Sequence, residues 1–173
     1  MATNLQFIKS VSGSGVSSLS VTDCFTSDYN SYQIHTDYSS TTSTPFFLNM
    51  RLIDSGGNII TDSEYDKAEL YLKSDASFNE GRQTNSSNFA EPFGEGDLNG
   101  ENANAVITVF NAEDSSSFTF IQGQAAFNVG GVFKGKKYIG VHKVAETITG
   151  FHMYKAGTSG TSANITVNIY GVK

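Results

Sequence analysis

The side chains that could ionise, ligate or attack are few in this chain, and their spacing matches no catalytic motif. His35, His142 and His152 are its only histidines, and none stands at ligand spacing within a Cys or carboxylate motif, so no metal site is expected. His152, on an extended stretch beside Tyr154, reads as a hydrogen-bonded structural histidine. The single Cys24 lies between Asp23 and Phe25 with no cation next to it to lower its pKa. It reads as a small buried hydrophobe, and alone it forms no internal disulfide. The nearest approach to a nucleophile elbow is Gly157-Thr158-Ser159-Gly160-Thr161, which misplaces the second glycine and has no helix after it. Gly13-Ser14-Gly15 and Gly130-Gly131-Val132-Phe133-Lys134-Gly135-Lys136-Lys137 lack the spacing and following helix of a phosphate loop. Asp97-Leu98-Asn99-Gly100-Glu101-Asn102 alternates oxygen ligands as calcium loops do but lacks the later bidentate Glu, so it reads as an Asx-rich turn. Asp62 and Glu64 adjoin a turn, and nothing sets them across a cleft as paired carboxylates must be. No catalytic, cofactor-binding or metal-ligating residue is expected, and the chain reads as a non-enzyme.

Recognition surfaces are the better candidates. Tyr29, Tyr32 and Tyr38 offer aromatic faces on which a sugar could stack, although strand tyrosines with the hydroxyl at the rim have the same pattern. Phe89 and Phe93 punctuate a polar stretch and could pin it to the body. Lys134, Lys136 and Lys137 form the only local positive cluster and read as a basic hairpin loop, solvated or facing an acidic neighbour.

The elements that must carry these residues are strands. Phe, Tyr, Thr and Val suit a pleated, half-buried surface, and the chain holds 13 Phe and 8 Tyr but no Trp and two Pro. Period-two alternation runs through Leu19–Val21, Tyr32–Thr36, Phe46–Ile53 and Phe118–Gln122. It continues in Lys137–Lys143, Thr147–Tyr154 and Ile165–Tyr170. Ala105–Phe110 reads as a short apolar strand, and Asp54-Ser55-Gly56-Gly57-Asn58 as a hairpin turn with Ile59–Thr61 returning. Residues 63–74 tolerate a helix but alternate as a strand, which is favoured. A polar, turn-rich stretch follows at about 75–104 and reads as a long loop. The expected fold is all-β: one antiparallel, jelly-roll-like β-sandwich domain over 1–173 with about eight to ten strands.

Composition narrows function further. The 173 residues carry 11 Lys and Arg against 17 Asp and Glu, a net charge of −6, which offers no cationic footprint for nucleic acid. Only 16% of residues are charged, against about 25% in an average domain, so Ser, Thr and Asn must supply the polar surface. No apolar run has the length of a membrane span or an export signal.

Three stretches, Asp23-Cys24-Phe25-Thr26-Ser27-Asp28-Tyr29-Asn30-Ser31-Tyr32-Gln33-Ile34, Leu48 to Tyr65, and Ile148-Thr149-Gly150-Phe151-His152-Met153-Tyr154 through Asn168-Ile169-Tyr170-Gly171-Val172-Lys173, together resemble the small β-rich virion structural proteins of tailed bacteriophages, particularly marine and cyanobacterial ones. The resemblance implies a module made in the host cytoplasm and assembled on the capsid or tail exterior as a decoration subunit. Its implied partners are other virion proteins and further copies of itself, a trimer among the options. The alternative is a carbohydrate- or host-receptor-binding module of a phage tail.

Overall fold

The computed structural model describes residues 4–41, 46–96, 101–157 and 162–173, with Phe46 described by its backbone alone. Among them the chain forms twelve strands and no helix. They are β1 (Leu5–Val16), β2 (Ser18–Val21), β3 (Ser31–Ser40), β4 (Phe46–Asp54), β5 (Tyr65–Lys73) and β6 (Phe78–Ser86). Then come β7 (Glu95–Gly96), β8 (Ala103–Phe110), β9 (Phe118–Val129), β10 (Val132–Ala145), β11 (Ile148–Ala156) and β12 (Ala163–Val172). An eight-stranded antiparallel sheet runs β1-β12-β3-β8-β9-β10-β5-β6, and a four-stranded sheet runs β2-β11-β4-β7. The fold is an all-β antiparallel sandwich.

Alternation explains which side of each strand is dry. In β12, Ile165, Val167 and Ile169 are buried while Thr166 is exposed and Asn168 half-buried, and in β8 Ala105, Ile107 and Val109 are buried between exposed Asn104 and Val106. Leu48, Met50 and Leu52 of β4 and Phe151 and Met153 of β11 meet them from the smaller sheet in one continuous core. Each such aliphatic side chain taken from water contributes about 1.5–3 kcal/mol. Close approach of the layers fixes some backbone positions. A Cβ on Gly150 would lie 2.2 Å from the Val21 carbonyl oxygen, so β11 passes that point only as glycine.

The four-stranded sheet is narrower than its partner. The inner face of β5 and β10 is covered instead by residues 87–96, a strap held by Arg51 Nε donating to the Ser87 carbonyl (3.0 Å), paired backbone bonds between Phe89 and Met50, and Tyr38 Oη donating to the Gly94 carbonyl (2.9 Å). This corrects the reading of 75–104 as one long loop. Residues 78–86 form β6, an edge strand paired to β5, residues 87–96 form the strap, and Ala103 and Asn104 open β8. The edge strand was hidden because β6 (FNEGRQTNS) is polar on both faces and gains its order from backbone bonds to β5 rather than from burial. Residues 65–73 are the expected strand. Ile59–Thr61 make only an isolated bridge, Ile53 to Ile59, rather than a full return strand.

Candidate binding face

The supposed basic loop is a strand. Gly130 (φ 61°) and Gly131 (φ 79°) both adopt positive φ, the two-residue turn whose twist matches the strands it joins, so β9 and β10 pair up to Val129 and Val132. Lys134, Lys136 and Lys137 are therefore not one patch. Lys137 is exposed on the outer face of the large sheet, whereas Lys136 is wholly buried on the inner one. Lys136 Nζ lies 2.6 Å from Glu69 Oε2, donates to the Glu91 carbonyl (2.7 Å), and stands 4.7 Å from the Tyr71 ring centroid. Burial lowers its pKa, and Glu69 works against that shift. Lys67 closes the group at 2.8 Å from Glu69 Oε1, and Lys134 pairs with Glu95 at 3.0 Å. The strap lies over this charged interior, which reads as structural.

The proposed aromatic surface dissolves in the same way. Tyr32 and Tyr38 of β3 are 0–1% exposed because their strand parity points them between the sheets, and Phe89 and Phe93 are 0% exposed where they pin the strap to the core. Tyr29 alone remains half-buried at the rim, edge-on to Tyr32 (6.0 Å) and beneath Lys173 Nζ (5.7 Å). Cys24 is fully buried, and desolvation pushes its thiol pKa up to about 12. His152 shares a 2.8 Å hydrogen bond with Ser20 Oγ, and burial lowers its pKa. Four residues of the Asp97–Asn102 turn, 97–100, and the Thr158–Thr161 part of the elbow-like stretch lie outside the described residues.

What no single segment announced is the outer face of the large sheet. Register sets Asn168, His35, Val106, Gln124 and Lys137 side by side across β12, β3, β8, β9 and β10. At about 4.8 Å per strand this row is roughly 19 Å long. Asp37 and Asn104 pair in the next row on one side, and Thr108 and Gln122 on the other. They line an open groove of about 700 Å³, within the size range of small-ligand sites. Amides that both donate and accept, one imidazole, one ammonium and one carboxylate suit a neutral polyhydroxylated ligand. Asp37 is the only carboxylate among the described lining residues, and it accepts from Asn102 Nδ2 (2.8 Å).

Beside the groove the face turns apolar. Phe120 pairs with Val141, Ile139 with Ala68, and Leu72 with Phe78, and directly opposed side chains of this kind touch. Ile139 (55% exposed), Phe78 (68%) and Phe133 (57%) stand in water there, with Leu70, Leu72 and Phe120 between 42% and 47%. A second hollow of about 430 Å³ lies among Ala68, Phe120, Ile139 and Val141. The signal was present as alternation: the outward positions Phe118, Phe120, Gln122 and Gln124 of β9 and Phe133, Ile139 and Val141 of β10 are apolar or amide, with Lys137 among them. Only the pairing register assembles these into one surface.

No protein-family model matches this sequence, and no curated protein matches it. Among solved structures, an exo-inulinase from Aspergillus awamori aligns over 98% of this chain at 13% identity with a TM-score of 0.39, and the chain spans 29% of that enzyme's length. At that score the neighbour bears on neither substrate nor activity.

Proposed function

We propose that this chain is a non-enzymatic virion structural protein, a decoration or accessory subunit on the exterior of a phage capsid or tail that associates through the outer face of β9, β10, β5 and β6. The observation that carries the reading is the contiguous exposed apolar surface around Ile139, which an isolated soluble domain has no reason to display. Low surface charge and the bacteriophage resemblance of the sequence support it. The test is the solution mass by light scattering, together with rebinding to particles stripped of the protein. The expected result is an oligomer that rebinds, and that Ile139→Asp converts to a monomer that keeps the wild-type circular dichroism spectrum, since the side chain points away from the core of the subunit. A wild-type monomer at tens of micromolar that ignores particles would remove the reading.

The amide-lined groove favours a second function, capture of a host glycan. A neutral oligosaccharide would lie along the Asn168-to-Lys137 row, with Gln122 and Gln124 bonding its hydroxyls. A glycan screen followed by Gln124→Ala tests this, and a blank screen excludes it.

A further inference from the structure

At one end of the sandwich, where β5 begins and β10 turns into β11, two carboxylates close on a buried imidazole. His142 Nε2 lies 3.1 Å from Glu64 Oε2 and 3.7 Å from Glu146 Oε1, and the three ligating atoms fall within 4.8 Å of one another. The His142 side chain is fully buried with Nε2 aimed between the two acids, whose side chains keep 31% and 32% of their surface exposed. Asp54 and Asp62 add further negative potential at Glu146. The neighbouring cations are engaged elsewhere. Lys143 Nζ is 2.9 Å from Asp66 and donates to Asn85 (2.6 Å), and Arg51 donates to the Ser87 carbonyl and lies over the Tyr154 ring.

One proton on Nε2 can serve Glu64, but at 3.7 Å the Glu146 oxygen lies beyond hydrogen-bond length. A single ion would satisfy all three acceptors. Metal–ligand bonds of about 2.1 Å separate adjacent ligand atoms by about 3.0–3.4 Å in octahedral or tetrahedral geometry, within a few tenths of an ångström of the two distances observed. The scaffold is preset: the Lys143 amide donates to the Glu64 carbonyl (2.9 Å), and the Tyr65 ring packs 5.0 Å from the imidazole. His142 Nδ1 has no hydrogen-bond partner in the protein, so the ring's tautomer follows whatever sits on Nε2.

We propose that Glu64, His142 and Glu146 form a binding site for a divalent transition-metal ion, with water completing the coordination shell on the exposed side. An imidazole ligand favours zinc-like ions over calcium or magnesium, which prefer all-oxygen sites. The ion would tie the segment before β5 to the β10–β11 turn, a cross-strand clip in a chain whose one cysteine is buried and free.

The test is calorimetric titration of metal-stripped full-length protein with zinc chloride, then with calcium chloride, with thermal melts in parallel. One zinc per chain is expected at micromolar affinity or better, with a rise in melting temperature that EDTA reverses and much weaker binding of calcium. E64Q and E146Q should each weaken zinc at least tenfold, and zinc should shift the His142 Nε2 nitrogen resonance. Glu146 lies in a turn, so E146Q supplies the answer if E64Q disturbs the fold. No saturable zinc binding, equal affinity for calcium, or unaltered binding in E146Q would each overturn the proposal.

Discussion

Lys136→Ala should be among the most destabilising single changes in this protein, although loss of the next lysine along the strand, exposed Lys137, should matter little. The ammonium is fully buried, 2.6 Å from Glu69 Oε2 and bonded to the Glu91 carbonyl at 2.7 Å. Deleting one member of a buried ion pair costs about 3–5 kcal/mol, mostly through the charge left behind. Glu69 keeps Lys67 at 2.8 Å, which points to the lower end, about 3 kcal/mol. For a domain of this size each kcal/mol moves the melting temperature by about 2–4 °C, so K136A should melt about 6–12 °C below wild type. Two controls share the strand. Lys134, whose pair with Glu95 leaves only 16% and 14% of the two side chains exposed, should cost less than Lys136 when changed to Ala, about 1–2 kcal/mol, and exposed Lys137 under about 0.5 kcal/mol. Lys136→Met, which restores the apolar stem, should recover part of the loss. The assay is urea unfolding followed by circular dichroism, with the slope m compared across variants so that only stability is read. A K136A midpoint within about 1 kcal/mol of wild type at equal m would refute the reasoning, because it would mean that the lysine is hydrated and the strap open.

Further outcomes follow from the same interior. Gly150→Ala forces a Cβ to 2.2 Å from the Val21 carbonyl, and because the obstacle is backbone the cost should reach the upper end of roughly 1–3 kcal/mol, read as a lowered urea midpoint. Burial raises the folded-state pKa of Glu91 above its usual value. Its contribution is therefore complete below about pH 4.5 and is lost as pH rises through the raised pKa, so E91Q should gain stability relative to wild type between pH 4.5 and 7 in paired thermal melts. A difference between the two proteins that stays flat with pH would contradict this. Tyr65 Oη accepts from the Leu52 amide (3.1 Å) and donates to the Ile60 carbonyl (3.2 Å). Tyr65→Phe leaves both buried groups unpaired and should cost about 1–3 kcal/mol in the same unfolding assay.

The strands of the core were legible because one wet and one dry face write a period of two into the chain. Ile165, Val167 and Ile169 against Thr166 and Asn168 announce β12, and the same logic gives β3, β4 and β11. β6 was not legible: FNEGRQTNS carries no alternation, since an edge strand is ordered by its neighbour's backbone. The lysine cluster failed for a related reason. Composition marks 134–137 as basic, but the tight Gly130-Gly131 turn extends the strand through them, and a one-residue step then separates a buried cation from an exposed one.

The sequence by itself determined the class of fold, the lack of any local catalytic motif and the acidic, weakly charged surface, because these depend on composition and on neighbours within a few residues. The tertiary structure alone decided which aromatics are core, and it assembled the two features with functional promise. Asn168, His35, Gln124 and Lys137 become one groove wall only through the pairing of five strands. Glu64 and His142, 78 positions apart, meet because β5 and β10 pair antiparallel, with Tyr65 opposite His142. Sheet register brings distant residues within ångströms of each other, and register is set by the summed burial of whole strands rather than by any segment that a local reading can inspect.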